Sequence, residues 1–230
     1  TEFLPISSTG HLILTGALLK IPQSEFLKSF EIAIQLGAII SVVVLYWKTL
    51  TFDWQMLKKI AVAFIPTALI GFIFYKLIRS FLLDSEAIVI WSLLLGGIFI
   101  IAFERWYKRK PRAQEETVSY KQAFLIGLIQ ALAIVPGVSR SAATIIAGLA
   151  LGLSRKTIVE FSFLLAVPTM AAAVGLDLSK QAHLFTPGEF GYLIGGFAIS
   201  FLAALAAIKF LLSFIKNHSF IPFGIYRIIL

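Results

Sequence analysis

The sequence predicts an all-α integral membrane protein with six transmembrane helices, two re-entrant helix hairpins and an internal repeat of inverted topology. Three observations predict it: an apolar composition, a series of long uncharged runs, and a polar turn that recurs in both halves of the chain. Hydrophobic residues make up 59% of the 230 positions and charged residues 14%, against about 25% charged in an ordinary soluble domain. That leaves too few polar groups to coat a soluble globule, and the same balance excludes disorder. The absence of cysteine excludes a disulfide framework, a thiolate metal site and a cysteine nucleophile. His11, His183 and His218 are too scattered for a histidine metal cluster. The net charge of +8 reads as basic loops beside an anionic membrane face rather than as a nucleic-acid surface.

Residues 32–47, 60–75, 87–103, 161–176 and 190–208 carry no charge. Each predicts a spanning helix once its interfacial ends are added. Residues 220–230 begin a sixth. The chain is expected to be one membrane domain over 1–230. Its repeat halves cover about 1–107 and 120–230, joined by a basic cytoplasmic loop at 108–119, and both termini are expected to be incomplete.

One stretch breaks the pattern. Residues 123–135 are apolar, Pro136-Gly137-Val138-Ser139-Arg140-Ser141 interrupts, and 142–153 are apolar again. Each half is too short to cross about 30 Å at about 1.5 Å per residue. One kinked spanning helix would leave Arg140 near the bilayer centre, at about 2.5–3.5 kcal/mol or more. A re-entrant hairpin avoids this, provided protein or a wet cavity surrounds its turn.

The start of the chain repeats the motif: Pro5-Ile6-Ser7-Ser8-Thr9-Gly10-His11 precedes the short apolar run 12–19. Glu31 and Glu160 follow the two turns at similar spacing, each at the start of a span. The first half of this hairpin is expected upstream of Thr1. Three spans between the hairpins invert the second half relative to the first, a device of many transporters. Threading puts Lys48, Lys58, Arg105, Lys108, Arg155, Lys156, Lys209 and Lys216 on one face, which the positive-inside rule makes cytoplasmic, and Arg227 on the other. The first hairpin then enters from the outer face.

The polar residues of this apolar protein gather at the two turns: Glu2, Ser7, Ser8, Thr9 and His11 at the first, and Ser139, Arg140, Ser141 and Thr144 at the second. Ser and Thr ahead of an apolar run are helix caps. Two helix N-termini aimed inward, with an arginine, suit a phosphate. Arg140 is functional by default at membrane depth; its structural alternative is a clamp on backbone carbonyls of the facing hairpin. His11 can act as base, acid or phosphate nucleophile, or be satisfied by carbonyls. Glu2 can hold a divalent cation or steer a nucleophile. A serine nucleophile among Ser7, Ser8 and Thr9 needs a base, which His11 or Glu2 could supply. Ser139 and Ser141 flank Arg140 as phosphate ligands. Gln35 and Gln130 are buried braces for the hairpins.

These residues carry a family resemblance. TEFLPISSTGH at the start and PGVSRSAAT at Pro136–Thr144, with FEIAIQLGAI, EFSFLLAVP and SFIPFGIYR elsewhere, resemble the undecaprenyl-diphosphate phosphatases, the bacitracin-resistance enzymes of bacteria. The resemblance covers nearly the whole chain. It implies hydrolysis of undecaprenyl diphosphate to undecaprenyl phosphate and inorganic phosphate, recycling the lipid carrier of cell-wall synthesis. It implies a multi-pass protein of the bacterial inner membrane with a site facing the periplasm or exterior, and it allows a homodimer. It implies catalytic roles for Glu2, Ser8, His11 and Arg140, substrate binding by Ser7, Thr9, Ser139, Ser141 and Thr144, and a divalent cation, Mg2+ or Ca2+, at Glu2. Two departures stand out. The family's first motif glutamate would fall upstream of Thr1, and Ala142 stands where the family usually has glycine. A type-2 phosphatidic acid phosphatase lacks support, since no second histidine follows Ser139-Arg140 through Leu151. A polyprenyl-phosphate transporter is the alternative from another class.

Overall fold

A computed structural model describes residues 1–21, 24–77, 85–109, 115–181 and 190–230. Residues 110–114 of the expected loop 108–119, and His183, lie outside the described residues. The described chain is helical, with a single bridge between Glu115 and Leu153 beside the helices. In order the elements are α1 (Ser8–Leu18), α2 (Glu25–Leu45), the short α3 (Trp47–Phe52), α4 (Trp54–Leu77), α5 (Glu86–Tyr107), α6 (Tyr120–Gln130) with a 3-10 turn at Ala131–Ile134, α7 (Arg140–Ala150), α8 (Arg155–Gln181), α9 (Phe190–Phe214) and α10 (Ile221–Ile229).

Among the described residues, four helices are long and apolar enough to cross a membrane: Trp54–Phe74, Glu86–Tyr107, Arg155–Leu176 and Gly191–Phe214. The apolar part of α2, Ile34–Leu45, is shorter, and α10 has 9 residues. In α8, 56% of the span window is buried inside the protein, against 17–22% in the other three. It is the central helix, and Phe161, Phe163, Leu164 and Leu165 on it are fully buried. The other three turn most of their apolar surface outward, as helices solvated by lipid do. Pro66 and Pro168 sit inside α4 and α8, which membrane helices tolerate when neighbours satisfy the freed carbonyls.

The two turns are alike in backbone detail. Ser7 and Ser139 both have left-handed φ, 67° and 76°, and each caps an 11-residue helix by accepting a hydrogen bond from the amide three residues on. Each helix also ends alike: Ile21 N–H bonds the Gly16 carbonyl and Leu153 N–H the Gly148 carbonyl, both at 3.0 Å. These are Schellman-type closures. The register pairs Ser7 with Ser139, one residue off a match of Pro5 with Pro136. α5 and α10 meet reciprocally. A Cβ on Gly97 would lie 2.7 Å from the Gly224 carbonyl oxygen, and one on Gly224 2.8 Å from that of Gly97. Only glycine permits so close a crossing.

Candidate active site

The two turns meet. Arg140, first residue of α7, donates from Nη2 to the Glu2 carbonyl oxygen at 3.2 Å and from Nη1 to the Ser162 carbonyl oxygen at 3.0 Å. Its Nη2 lies 3.6 Å from Met170 Sδ. Phe3, buried and edge-on to Phe163 at 5.3 Å, places its ring 6.0 Å from the guanidinium. Ser141 donates its hydroxyl hydrogen to the Leu4 carbonyl oxygen at 2.7 Å. The backbone of residues 2–4 is therefore sewn to the start of α7. As placed, Arg140 makes the carbonyl clamp that was the structural alternative, with N–H donors to spare.

Thr144 and Ser162 hold α7 against α8 through hydroxyls 2.6 Å apart, and Thr144 Oγ1 also lies 3.1 Å from the carbonyls of Arg140 and Ser141. Ser139 Oγ is 3.2 Å from Ser141 Oγ and accepts from Ala142 N–H. Ser139, Ser141 and Thr144 are all buried. Their hydroxyls are committed to protein partners and fix where Arg140 stands.

At the first turn, Ser7 Oγ accepts from Gly10 N–H at 3.3 Å, while Ser8 and Thr9, half-buried, open α1. His11 Nδ1 donates to the Ser7 carbonyl oxygen at 2.7 Å. A carbonyl can only accept, so the neutral ring carries its proton on Nδ1. Nε2 then accepts from the Tyr226 hydroxyl at 2.8 Å. The rings of His11 and Tyr226 stack at 5.5 Å and 9°. Both ring nitrogens are thus engaged.

Thr1, Glu2, Ser8 and Gln35 line a cavity of about 290 Å3 whose remaining wall is mostly apolar, with Leu12, Ile34, Ile199 and Ala203 among its residues. Glu2 is its only carboxylate among the described residues. Among the described residues no three His, Cys, Asp or Glu side chains converge on a metal site. One carboxylate with neutral hydroxyl and amide oxygens does fit a hard cation that completes its shell with phosphate oxygens.

Three contributors carry no role in the sequence reading. Arg227, threaded to the outer face by charge counting, is 1% exposed. Its guanidinium donates to four carbonyls: Ser92 at 2.8 Å, Leu93 at 3.4 Å, Gly137 at 2.7 Å and Val138 at 3.0 Å. It supplies the donors that the turn of Gly137, φ +90°, cannot obtain from a helix. Tyr226 and Ser162 are the other two. An arginine inside the apolar run 220–230 was a signal for the first; nothing in the sequence singles out Ser162. Gln130 braces as expected, with Nε2 2.9 Å from Thr67 Oγ1 and 3.3 Å from Thr169 Oγ1, while its Oε1 is buried with no partner among the described residues.

Apolar spans around a buried cationic turn, with a carboxylate and serine in an adjoining cavity, define a helical membrane protein equipped to handle an anion. Comparison with known proteins makes this specific. Residues 1–230 match the family model described as bacitracin resistance protein BacA, and the chain belongs to that family. It is 54% identical to the undecaprenyl-diphosphatase of Sulfurihydrogenibium sp., over 100% of this chain and 91% of that protein. It is 49% identical to the undecaprenyl-diphosphatase of Aquifex aeolicus, over 100% and 90%, and 45% identical to that of Thermus thermophilus, over 100% and 89%.

Proposed function

We infer that this chain hydrolyses undecaprenyl diphosphate to undecaprenyl phosphate and inorganic phosphate, as the names of its relatives indicate. The observation that carries the reading is the junction of Arg140 with the Glu2 carbonyl, beside the cavity that Glu2 and Ser8 share. The two turns are the tips of re-entrant hairpins in a six-span, inverted-repeat protein of the bacterial inner membrane. The catalytic cavity opens to the outer side.

The diphosphate sits at the N-termini of α1 and α7, where unpaired amides and Arg140 meet the charge on the phosphoryl oxygens. Thr9 and the Ser139 turn shape this seat. Ser8 Oγ attacks the terminal phosphorus, and Glu2 takes the Ser8 proton. An oxygen–phosphorus bond forms at Ser8 as the bridging phosphorus–oxygen bond breaks, and undecaprenyl phosphate leaves. Water then attacks the phosphoserine, releases phosphate and restores Ser8. His11 is placed to orient rather than attack, since Nδ1 holds the Ser7 carbonyl and Nε2 faces Tyr226. A divalent cation, Mg2+ or Ca2+, bound at Glu2 would neutralise phosphate charge. The prenyl chain follows the apolar wall at Ile34, Ile199 and Ala203, each buried CH2 contributing about 0.8 kcal/mol.

The test is phosphate release from a long-chain prenyl diphosphate in detergent. Arg140→Ala should abolish it and His11→Ala should slow it strongly, while helical content persists. Unchanged hydrolysis in those variants would remove the site assignment. The reciprocal repeat favours one second reading, transport of a polyprenyl phosphate. Lipid crossing in vesicles without phosphate release would support that reading instead.

A further inference from the structure

A second cavity, of about 790 Å3, lies at the other end of the molecule. It opens at the start of α8 and just past the end of α9, lined by Ser154, Lys156, Lys108, Lys216, Asn217 and His218 among others. The catalytic cavity instead touches α9 at Gly196–Ala204. At about 1.5 Å per residue the two are separated by roughly 20 Å along α9. The charges that line the second cavity belong to the face read as cytoplasmic.

Its floor is built around a buried ion pair. Arg155 pairs with the buried Glu104 through both guanidinium nitrogens, and Glu104 Oε1 also accepts from Phe220 N–H at 3.0 Å. The guanidinium lies between the rings of Tyr107, at 5.4 Å, and Phe220, at 5.2 Å. This pair cancels its own charge. What remains on the walls is Lys108, Lys156 and Lys216 against Glu116 and Glu160. None of the three ammonium groups has a hydrogen bond among the described residues. His218 stacks on Phe214 at 4.5 Å, with Nδ1 3.2 Å from the Phe214 carbonyl, and its Nε2 has no partner among the described residues. Ser154 opens α8, its Oγ accepting from Thr157 N–H at 3.2 Å, so the positive end of a 27-residue helix adds to the lysine field. The volume lies in the range of small-molecule pockets, about 300–1,000 Å3, and exceeds what a bare ion needs.

We propose that this cleft binds a phosphate dianion, borne by a lipid headgroup or free as inorganic phosphate, at the membrane face opposite the catalytic cavity. Lysines at a helix N-terminus are point-charge partners for such a group. The claim stands on the cleft alone, so a failed hydrolysis assay leaves it untouched.

The experiment is a lysine footprint on the intact protein in detergent, at constant ionic strength. Acetylation of each lysine is quantified by mass spectrometry with no ligand, with inorganic phosphate, and with geranyl phosphate. At ligand concentrations near ten times Kd, occupancy predicts a drop of about tenfold at Lys108, Lys156 and Lys216. Lys48, Lys58 and Lys209, exposed away from the cleft, should keep their reactivity. Protection by geranyl phosphate at much lower concentration than by inorganic phosphate assigns the site to a lipid. Equal potency assigns it to free phosphate. Unchanged reactivity at the three cleft lysines, or an equal drop at all six, overturns the proposal.

Discussion

The Ser141 hydroxyl and the Leu4 carbonyl, 137 positions apart in the chain, share a hydrogen bond of 2.7 Å. The bond sits one residue from the Arg140 contact with Glu2, so the two motifs are held together by a pair of short links rather than by packing alone. Ser141→Ala removes this donor and leaves the Leu4 carbonyl with the Ile6 N–H alone, at 2.8 Å. The loss of one such bond costs about 0.5–1.5 kcal/mol. The expected outcome is a lower midpoint in thermal unfolding in detergent, with kcat falling because Glu2 is no longer held beside Arg140. A variant as stable and as active as the parent would show that the link is incidental.

Arg227 offers a larger effect from a residue that touches no substrate. Its four carbonyl partners come from α5 and from the turn ahead of Arg140. Arg227→Met strands the Gly137 and Val138 carbonyls in an apolar setting at about 1–3 kcal/mol each, while those of Ser92 and Leu93, inside α5, keep their helical N–H donors. Arg227→Lys keeps the charge but loses the planar fork, so it should rescue little. Both variants are expected to lose activity in parallel with thermal stability. Activity lost with full stability would mean that Arg227 reaches the substrate directly.

Tyr226→Phe isolates the hydroxyl on His11 Nε2, since the stacked ring is retained. A hydrogen bond of this kind is worth about 0.5–1.5 kcal/mol, which corresponds to a fall in kcat of up to about tenfold. KM should change little if the tyrosine orients His11 and does not hold the prenyl chain. A change confined to KM would reassign Tyr226 to substrate binding.

Four of the six expected spans, and the likeness of the two turns, were legible because their signals are local. Uncharged runs and a Ser-rich turn before an apolar helix need only the sequence within about 20 residues. The left-handed φ at Ser7 and Ser139 was not legible, because serine is an uncommon choice there and only the facing chain stabilises it. Arg227 was assigned to the wrong environment for a related reason. Charge counting treats every arginine near a span end as wet, whereas this one finds its solvation in carbonyls from two other segments. Ser162 is beyond any local reading: its carbonyl and hydroxyl matter through residues 22 and 18 positions away. The burial of Ser141 and Thr144 also follows from tertiary packing, which turned residues expected beside the phosphate into supports for Arg140.

On the proposed reading, Glu2, the one carboxylate among the described residues lining the smaller cavity, sets an expectation for metal dependence. A cation held by Glu2 and shared with phosphate would be lost easily, so chelation should abolish hydrolysis and added Mg2+ or Ca2+ should restore it. Glu2→Gln keeps one neutral oxygen ligand and loses the charge. The cation concentration for half-maximal activity should rise at least about tenfold. Activity indifferent to chelation would remove the cation from the reading and leave Glu2 as a base alone.

Ser8 and His11 can be separated as phosphoryl acceptors by their chemistry. A phosphoserine survives acid and is cleaved by base, whereas a phosphohistidine is lost in acid. The His11 ring has Nδ1 on the Ser7 carbonyl and Nε2 on Tyr226, so accepting a phosphoryl group would require one of these bonds to break first. Ser8 lies on the cavity wall with Glu2 and needs no such rearrangement. Rapid acid quench of the enzyme with a terminally labelled diphosphate should therefore trap label on the peptide containing Ser8, stable in acid. Ser8→Ala should eliminate both the label and steady-state turnover, while His11→Ala slows labelling without moving it. Label that is acid-labile and persists in Ser8→Ala would transfer the nucleophile to His11, and with it the requirement that Tyr226 swings away during each turnover.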